Sequence, residues 1–104
     1  MMKVIWSKSA VDSMRQIEDY ILKEFGEKAR KNFIQEVEHV ADILAEMPEL
    51  GRPERLLAHR NMTYRSIVIR KLSKMVYYIK DDTIRISALW DVRREPKSQI
   101  NHLR

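Results

Sequence analysis

The order of hydrophobic periodicities along this chain predicts a two-layer α+β domain, an antiparallel helical hairpin packed on one face of a mainly antiparallel sheet. Three observations carry that prediction. A short β-prone run, Lys3 to Trp6, opens the chain; two amphipathic helical runs follow, divided at Gly26 and stopped at Pro48; and three runs rich in Val, Ile, Tyr and Thr come last. The implied order is β-α-α-β-β-β, the arrangement of a helix pair laid over a sheet.

Each element has a local reason. Ser9 followed by Asp12 reads as a helix N-cap with a carboxylate at the third helical position, so the first helix is expected to start near Ala10. Ala10, Met14, Ile17, Ile21 and Phe25 then recur at spacings of four, three, four and four, which places them on one face. Gly26 is the expected left-handed C-terminal cap. Ala29, Phe33, Val37, Val40, Leu44 and Met47 form the apolar stripe of the second helix, which Pro48 ends. Residues 49–61, with Gly51 and Pro53, read as a surface loop with room for one helical turn around Arg55 to Ala58. Residues 62–70, 75–80 and 83–90 read as strands, and Asp81-Asp82 as the tight turn of a hairpin. In the last strand Ile84, Ile86, Ala88 and Trp90 alternate with Arg85, Ser87, Leu89 and Asp91, so the first four are expected to face the helices. The opposite sheet face, lined by basic side chains, is then left open to a partner. Pro96 ends regular pairing, and residues 97–104 read as a polar tail.

With 104 residues and 44% hydrophobic content, residues 1–104 are expected to form one domain around one core. No stretch approaches the roughly 20 apolar residues of a membrane span, and the first ten residues lack the pattern of a signal peptide, so the chain is expected in the cytoplasm. Cysteine is absent, which excludes disulfides, thiolate metal sites and cysteine nucleophiles. His39, His59 and His102 lack the spacing of a metal pair, so neither a metal nor a cofactor is expected. Glu36 and Glu38 point to different sides of a helix, and no glycine-rich phosphate loop exists.

Charge is unevenly divided. Residues 1–50 hold 7 Lys and Arg against 10 Asp and Glu, and residues 51–104 hold 13 against 5, giving −3 and +8. A second half this basic is either a solvated face or a surface for an acidic partner, a nucleic acid or an acidic protein segment. Arg60, Arg65, Arg70, Arg85, Arg93 and Arg94 are the candidate binding residues.

The segments Leu44-Ala45-Glu46-Met47-Pro48-Glu49-Leu50-Gly51-Arg52-Pro53, Tyr64-Arg65-Ser66-Ile67, Val76-Tyr77-Tyr78-Ile79 and Trp90-Asp91-Val92-Arg93-Arg94-Glu95-Pro96 resemble, in order and spacing, the RelE/ParE toxins of type II toxin-antitoxin systems. The resemblance covers nearly the whole chain. It implies a growth-arresting toxin of a plasmid or chromosomal stabilisation module, bound to a cognate antitoxin in a hetero-oligomer. Two activities exist in that superfamily. ParE-like members trap the cleavage complex of DNA gyrase and need no acid-base set; the Leu50-Gly51-Arg52-Pro53 corner and the tightly joined hairpin look more like that branch. RelE-like members cut mRNA on the ribosome without a metal, and for that chemistry Arg65, Arg93 and Arg94 would stabilise the phosphorane and His102 would move the proton. No tyrosine follows the last strand, which favours the gyrase-directed reading. An inert binding module without toxic activity is the third possibility.

Overall fold

The protein is described from a computed structural model, in which residues 1–58, 61–71 and 73–92 are described. The elements are β1 (Lys3–Trp6), α1 (Lys8–Phe25), α2 (Glu27–Glu46), β2 (Arg52–Pro53), a 3₁₀ turn (Arg55–Leu57), β3 (Arg65–Ile69), β4 (Ser73–Lys80) and β5 (Thr83–Asp91). They form a five-stranded sheet in the order β1-β5-β4-β3-β2, antiparallel except that β1 runs parallel to β5. This is the expected α+β architecture, with β2 as an additional two-residue strand inside the segment read as loop. Among the described residues no helix is long and apolar enough to cross a membrane.

Helix α1 begins two residues earlier than the sequence suggests, because Ser7 and not Ser9 is the N-cap. The Ser7 amide still donates to Ile86 O at 2.9 Å as part of the sheet, while its hydroxyl accepts from Ala10 N at 3.0 Å. Strand therefore passes into helix without a linker. Ser9 is already helical, its carbonyl accepting from the Ser13 hydroxyl at 2.8 Å. Gly26 joins both helices with φ 94° and ψ 177°, a positive φ but not the left-handed helical pair of angles that was expected. Its amide donates to Leu22 O and Ile21 O, and its carbonyl accepts from Arg30 N, so one residue closes α1 and opens α2.

Both helices lie on one sheet face. Ala10, Ile21, Phe33, Val37, Val40 and Leu44 meet Ile69, Met75, Tyr77, Ile84, Ile86 and Leu89 in the main core. Two stripe residues fall outside it: Phe25, at the very end of α1, is 64% exposed and packs edge-to-face with Tyr20, and Met47, beyond the end of α2, is 55% exposed.

Strand β5 corrects the expected face. Val76 pairs with Ala88 but the next residue, Tyr77, pairs with Ile86, leaving Ser87 as the extra residue of a β-bulge. An unpaired residue shifts the side-chain alternation by one. Ile84 and Ile86 accordingly face the helices as expected, Leu89 takes over on that side, and Ala88 and Trp90 turn to the other face. There they form a second cluster with Leu57 and Val76, closed by Leu56 and Tyr64. The outer sheet face is thus partly roofed by the 3₁₀ turn instead of lying fully open.

Candidate partner-binding surface

Three groups of residues define the surface left by this fold. The first is the corner after α2, where Tyr77 and Arg65 reach up from the sheet. The Tyr77 hydroxyl donates to Pro48 O at 2.8 Å and accepts from Gly51 N at 2.9 Å, while Arg65 Nη1 donates to Gly51 O at 2.8 Å. A Cβ on Gly51 would lie 2.6 Å from the Tyr77 hydroxyl and 2.9 Å from Ser66 O, so only glycine lets the corner close. Burial pushes the Tyr77 hydroxyl above its usual pKa, partly offset by the Gly51 amide and the nearby Arg65. The Arg65 guanidinium, expected at a phosphate, is engaged by the backbone of its own corner.

The second group lies on the outer face. Glu54, 8% exposed, accepts from the Ser66 hydroxyl at 2.7 Å, pairs with Lys74 Nζ at 2.7 Å and accepts from Leu56 N at 3.3 Å. Burial pushes its carboxyl up, but the Lys74 ammonium, the Ser66 hydroxyl and the Leu56 amide together hold it below the usual carboxylate range. Lys74 Nζ also stands 5.3 Å from the centre of the Trp90 ring, a cation–π contact. Tyr64 and Tyr78 meet edge-to-face at 5.3 Å, and Arg85 sits opposite Tyr78 on β5. Glu54 drew no attention in the sequence, and although Lys74 belongs to the basic second half and Tyr64 and Tyr78 to the family-like segments, nothing there brings them together. Their meeting with Trp90 depends on the bulge at Ser87, which the unbroken alternation of Ile84, Ile86, Ala88 and Trp90 conceals.

The third group is at the other end of β3. Arg70 lines an open pocket of about 270 Å³ together with Ile21, Phe25, Ala29 and Phe33. Arg65 and Arg70 mark opposite ends of the five-residue strand β3, roughly 16 Å apart by strand rise, and Arg85 is on the outer face two strands away. The candidate arginines that are described therefore lie at two ends of β3 and on the outer face, and do not converge on one phosphate. Arg60, Arg93, Arg94 and His102 lie outside the described residues, as does His59. Among the described residues no three His, Cys, Asp or Glu side chains gather as a metal site would require.

A helical hairpin on one face of a five-stranded sheet defines a small basic domain of the two-layer α+β class. Residues 4–96 match the family model of the ParE toxin of the type II toxin-antitoxin system parDE, and the chain belongs to that family. Its fold is similar to a solved chain described as the chromosomal ParDE TA system from P. aeruginosa, with a TM-score of 0.71 and 16% identity, covering 88% of this chain and 96% of that one. At that identity the likeness is one of fold. No curated protein matches the sequence. The resemblance drawn from the ordered motifs, including its ParE-like branch, is therefore correct at the level of family.

Proposed function

We propose that this chain is the toxin of a two-protein module in the cytoplasm, arresting growth by trapping DNA gyrase on cleaved DNA and held inactive by a cognate antitoxin. The family match over residues 4–96 carries this reading. The state of Arg65 supports it: a guanidinium engaged with Gly51 O, on a different face from Arg85, suits a structural brace better than a cleavage site for RNA. A gyrase poison acts by binding and needs no converging acid and base. In this reading Arg60, Arg70, Arg85, Arg93 and Arg94 serve as contacts with acidic partners.

The test is a pair of incubations with the purified chain. Gyrase with supercoiled plasmid is expected to yield linear DNA, and translating ribosomes are expected to retain intact mRNA. Codon-phased mRNA cuts with gyrase unaffected would overturn the proposal and move Arg93, Arg94 and His102 into an active site. Unhindered growth on expression without antitoxin would leave the inert binding module.

A further inference from the structure

The outer sheet face divides into two halves. Under the 3₁₀ turn, Glu54 and Lys74 neutralise each other beside the cluster of Leu57, Val76 and Trp90. Away from that roof, strand pairing lays two rows of side chains across the sheet. Tyr64 adjoins Tyr78 on β4, which pairs with Arg85 on β5, which in turn pairs with Ile5 on β1. Two residues along β5, Thr83 lies between Lys80 and Lys3. Side chains alternate between faces, and Val4, Trp6, Ile79 and Ile84 pack into the helix-side core, so both rows point to the outer face. Lys3, Ile5 and Lys80 are exposed, and Tyr64, Tyr78 and Arg85 partly so.

Strand spacing puts Lys3 and Lys80 roughly 10 Å apart, with Arg85 roughly 7 Å along β5 from the line between them. Neither row contains an acid; Asp81 and Asp82 lie beyond Lys80, in the β4–β5 turn. The side chains of the three cations make no ion pair or hydrogen bond with the described residues. Arg85 Nε is enclosed without an acceptor, and an enclosed donor left unpaired costs free energy that an arriving anion recovers. Beside it Tyr64 and Tyr78 meet edge to face, an arrangement that occupies one ring face and leaves π surface for another flat group. Separated cations next to aromatic rings are the means by which proteins hold an unpaired nucleic-acid strand, phosphates on the cations and a base on the ring. An acidic peptide would satisfy the cations and not the rings. An intact duplex keeps its base faces stacked inside and would leave the rings equally unused.

We propose that this open half of the outer face grips one strand of DNA at the break that gyrase makes, with phosphates on Arg85, Lys3 and Lys80 and a base stacked on Tyr78. Strand ends at a break unstack at less cost than bases inside a duplex. The source of the strand rests on the gyrase reading above; its place and chemistry rest on the two rows. Lys3 joins this surface only through the parallel pairing of β1 with β5, so the charge count of the second half of the chain does not include it.

Short fluorescent oligonucleotides test the chemistry by anisotropy against the full chain: a single DNA strand, the same strand annealed to its complement, and RNA of the same sequence. The single DNA strand is expected to bind saturably, the duplex at least about tenfold more weakly, and the RNA no more tightly than the DNA. Arg85→Gln and Tyr78→Leu are each expected to weaken binding of the DNA strand about tenfold while circular dichroism shows a folded chain. Arg85→Gln alone decides the point should Tyr78→Leu fail to fold. Replacing Lys3 and Lys80 together by Gln should flatten the slope of log affinity against log salt by about 1.4, the share of two phosphate contacts on a single strand. Lys28→Gln removes one exposed charge from the helix layer and is expected to leave affinity unchanged. Equal affinity for duplex and single strand, tighter binding of RNA, wild-type affinity in Arg85→Gln, or a loss in Lys28→Gln as large as in Arg85→Gln would each overturn the proposal. In the gyrase assay, a fall of about tenfold in linear plasmid with Arg85→Gln assigns the strand to DNA cut by gyrase; an unchanged yield overturns that assignment. The anisotropy assay contains no gyrase, so strand binding with plasmid left intact removes the gyrase reading alone, and linear plasmid without strand binding removes this proposal alone.

Discussion

Arg65 and Gly51 show how a motif can be legible while its reason is not. The run Leu50-Gly51-Arg52-Pro53 marks a corner in the sequence, but the need for glycine comes from the Tyr77 hydroxyl, 26 residues away. Gly51→Ala is expected to cost about 1–3 kcal/mol by overpacking, read as a fall in melting temperature. Arg65→Ala is expected to lose about 1–2 kcal/mol with the bond to Gly51 O, before any effect on partners is considered. A stable Arg65→Ala chain that had lost all toxicity would return Arg65 to the partner surface. Glu54 adds a pH dependence. Its carboxyl is depressed in the folded state, so its contribution is present above the unfolded value of about 4.3 and fades as pH falls through the lower folded value. Glu54→Gln should therefore destabilise the chain by about 2 kcal/mol at pH 7 and by much less near pH 2, as urea unfolding at the two pH values would show. Treating residues 49–61 as loop hid this carboxylate, because nothing in its neighbourhood in sequence announces Lys74 as its partner.

At the scale of elements, periodicity identified each helix and each long strand, and it failed where the backbone breaks its own period. The Asp81-Asp82 turn has positive φ at both residues, 53° and 54°, as a two-residue hairpin requires, and its residue types signal it. Arg70-Lys71 has the same sign of φ without any such signal. The Ser87 bulge is equally silent, since Ile84, Ile86, Ala88 and Trp90 spell an unbroken alternation. Deleting Ser87 should leave the faces as they are, because Ile86 and Ala88 would then follow one another opposite Tyr77 and Val76, and Ala88 and Trp90 would stay with Leu57 on the outer side. The expected result is a folded chain whose cooperative melt is lowered by loss of the Ser7 hydroxyl bond to Ser87 O; an aggregated chain would show that the extra residue does more than set the faces. The helix faces make a gentler comparison. Phe33 is 1% exposed and Phe25 64%, although both belong to expected apolar stripes. Phe33→Ala should cost about 3–5 kcal/mol and Phe25→Ala less than about 1, a difference that paired denaturation curves would resolve.

For the whole molecule, composition located the cations in the second half but could not say that Arg65 and Arg70 sit at opposite ends of β3 and Arg85 on the outer face. Counting charge along a chain contains no information about which side of a sheet each residue occupies. A complex held partly by this +8 half should weaken about tenfold as sodium chloride rises from about 0.05 to 0.5 M, and salt-independent binding would mean that apolar contacts dominate. The parallel pairing of β1 with β5 sets a condition of another kind. Lys3 meets Thr83 and Trp6 meets Ile86, so β5, an interior strand of the sheet, is synthesised 80 residues after the edge strand it pairs with. Such long-range closure makes folding wait for chain length. On the ribosome, the helical hairpin emerges with its apolar stripes uncovered and no β5 to receive them. On the proposed reading as a growth-arresting toxin, a chain built this way has no completed sheet until β5 appears, and that interval is time in which an antitoxin already present can be waiting.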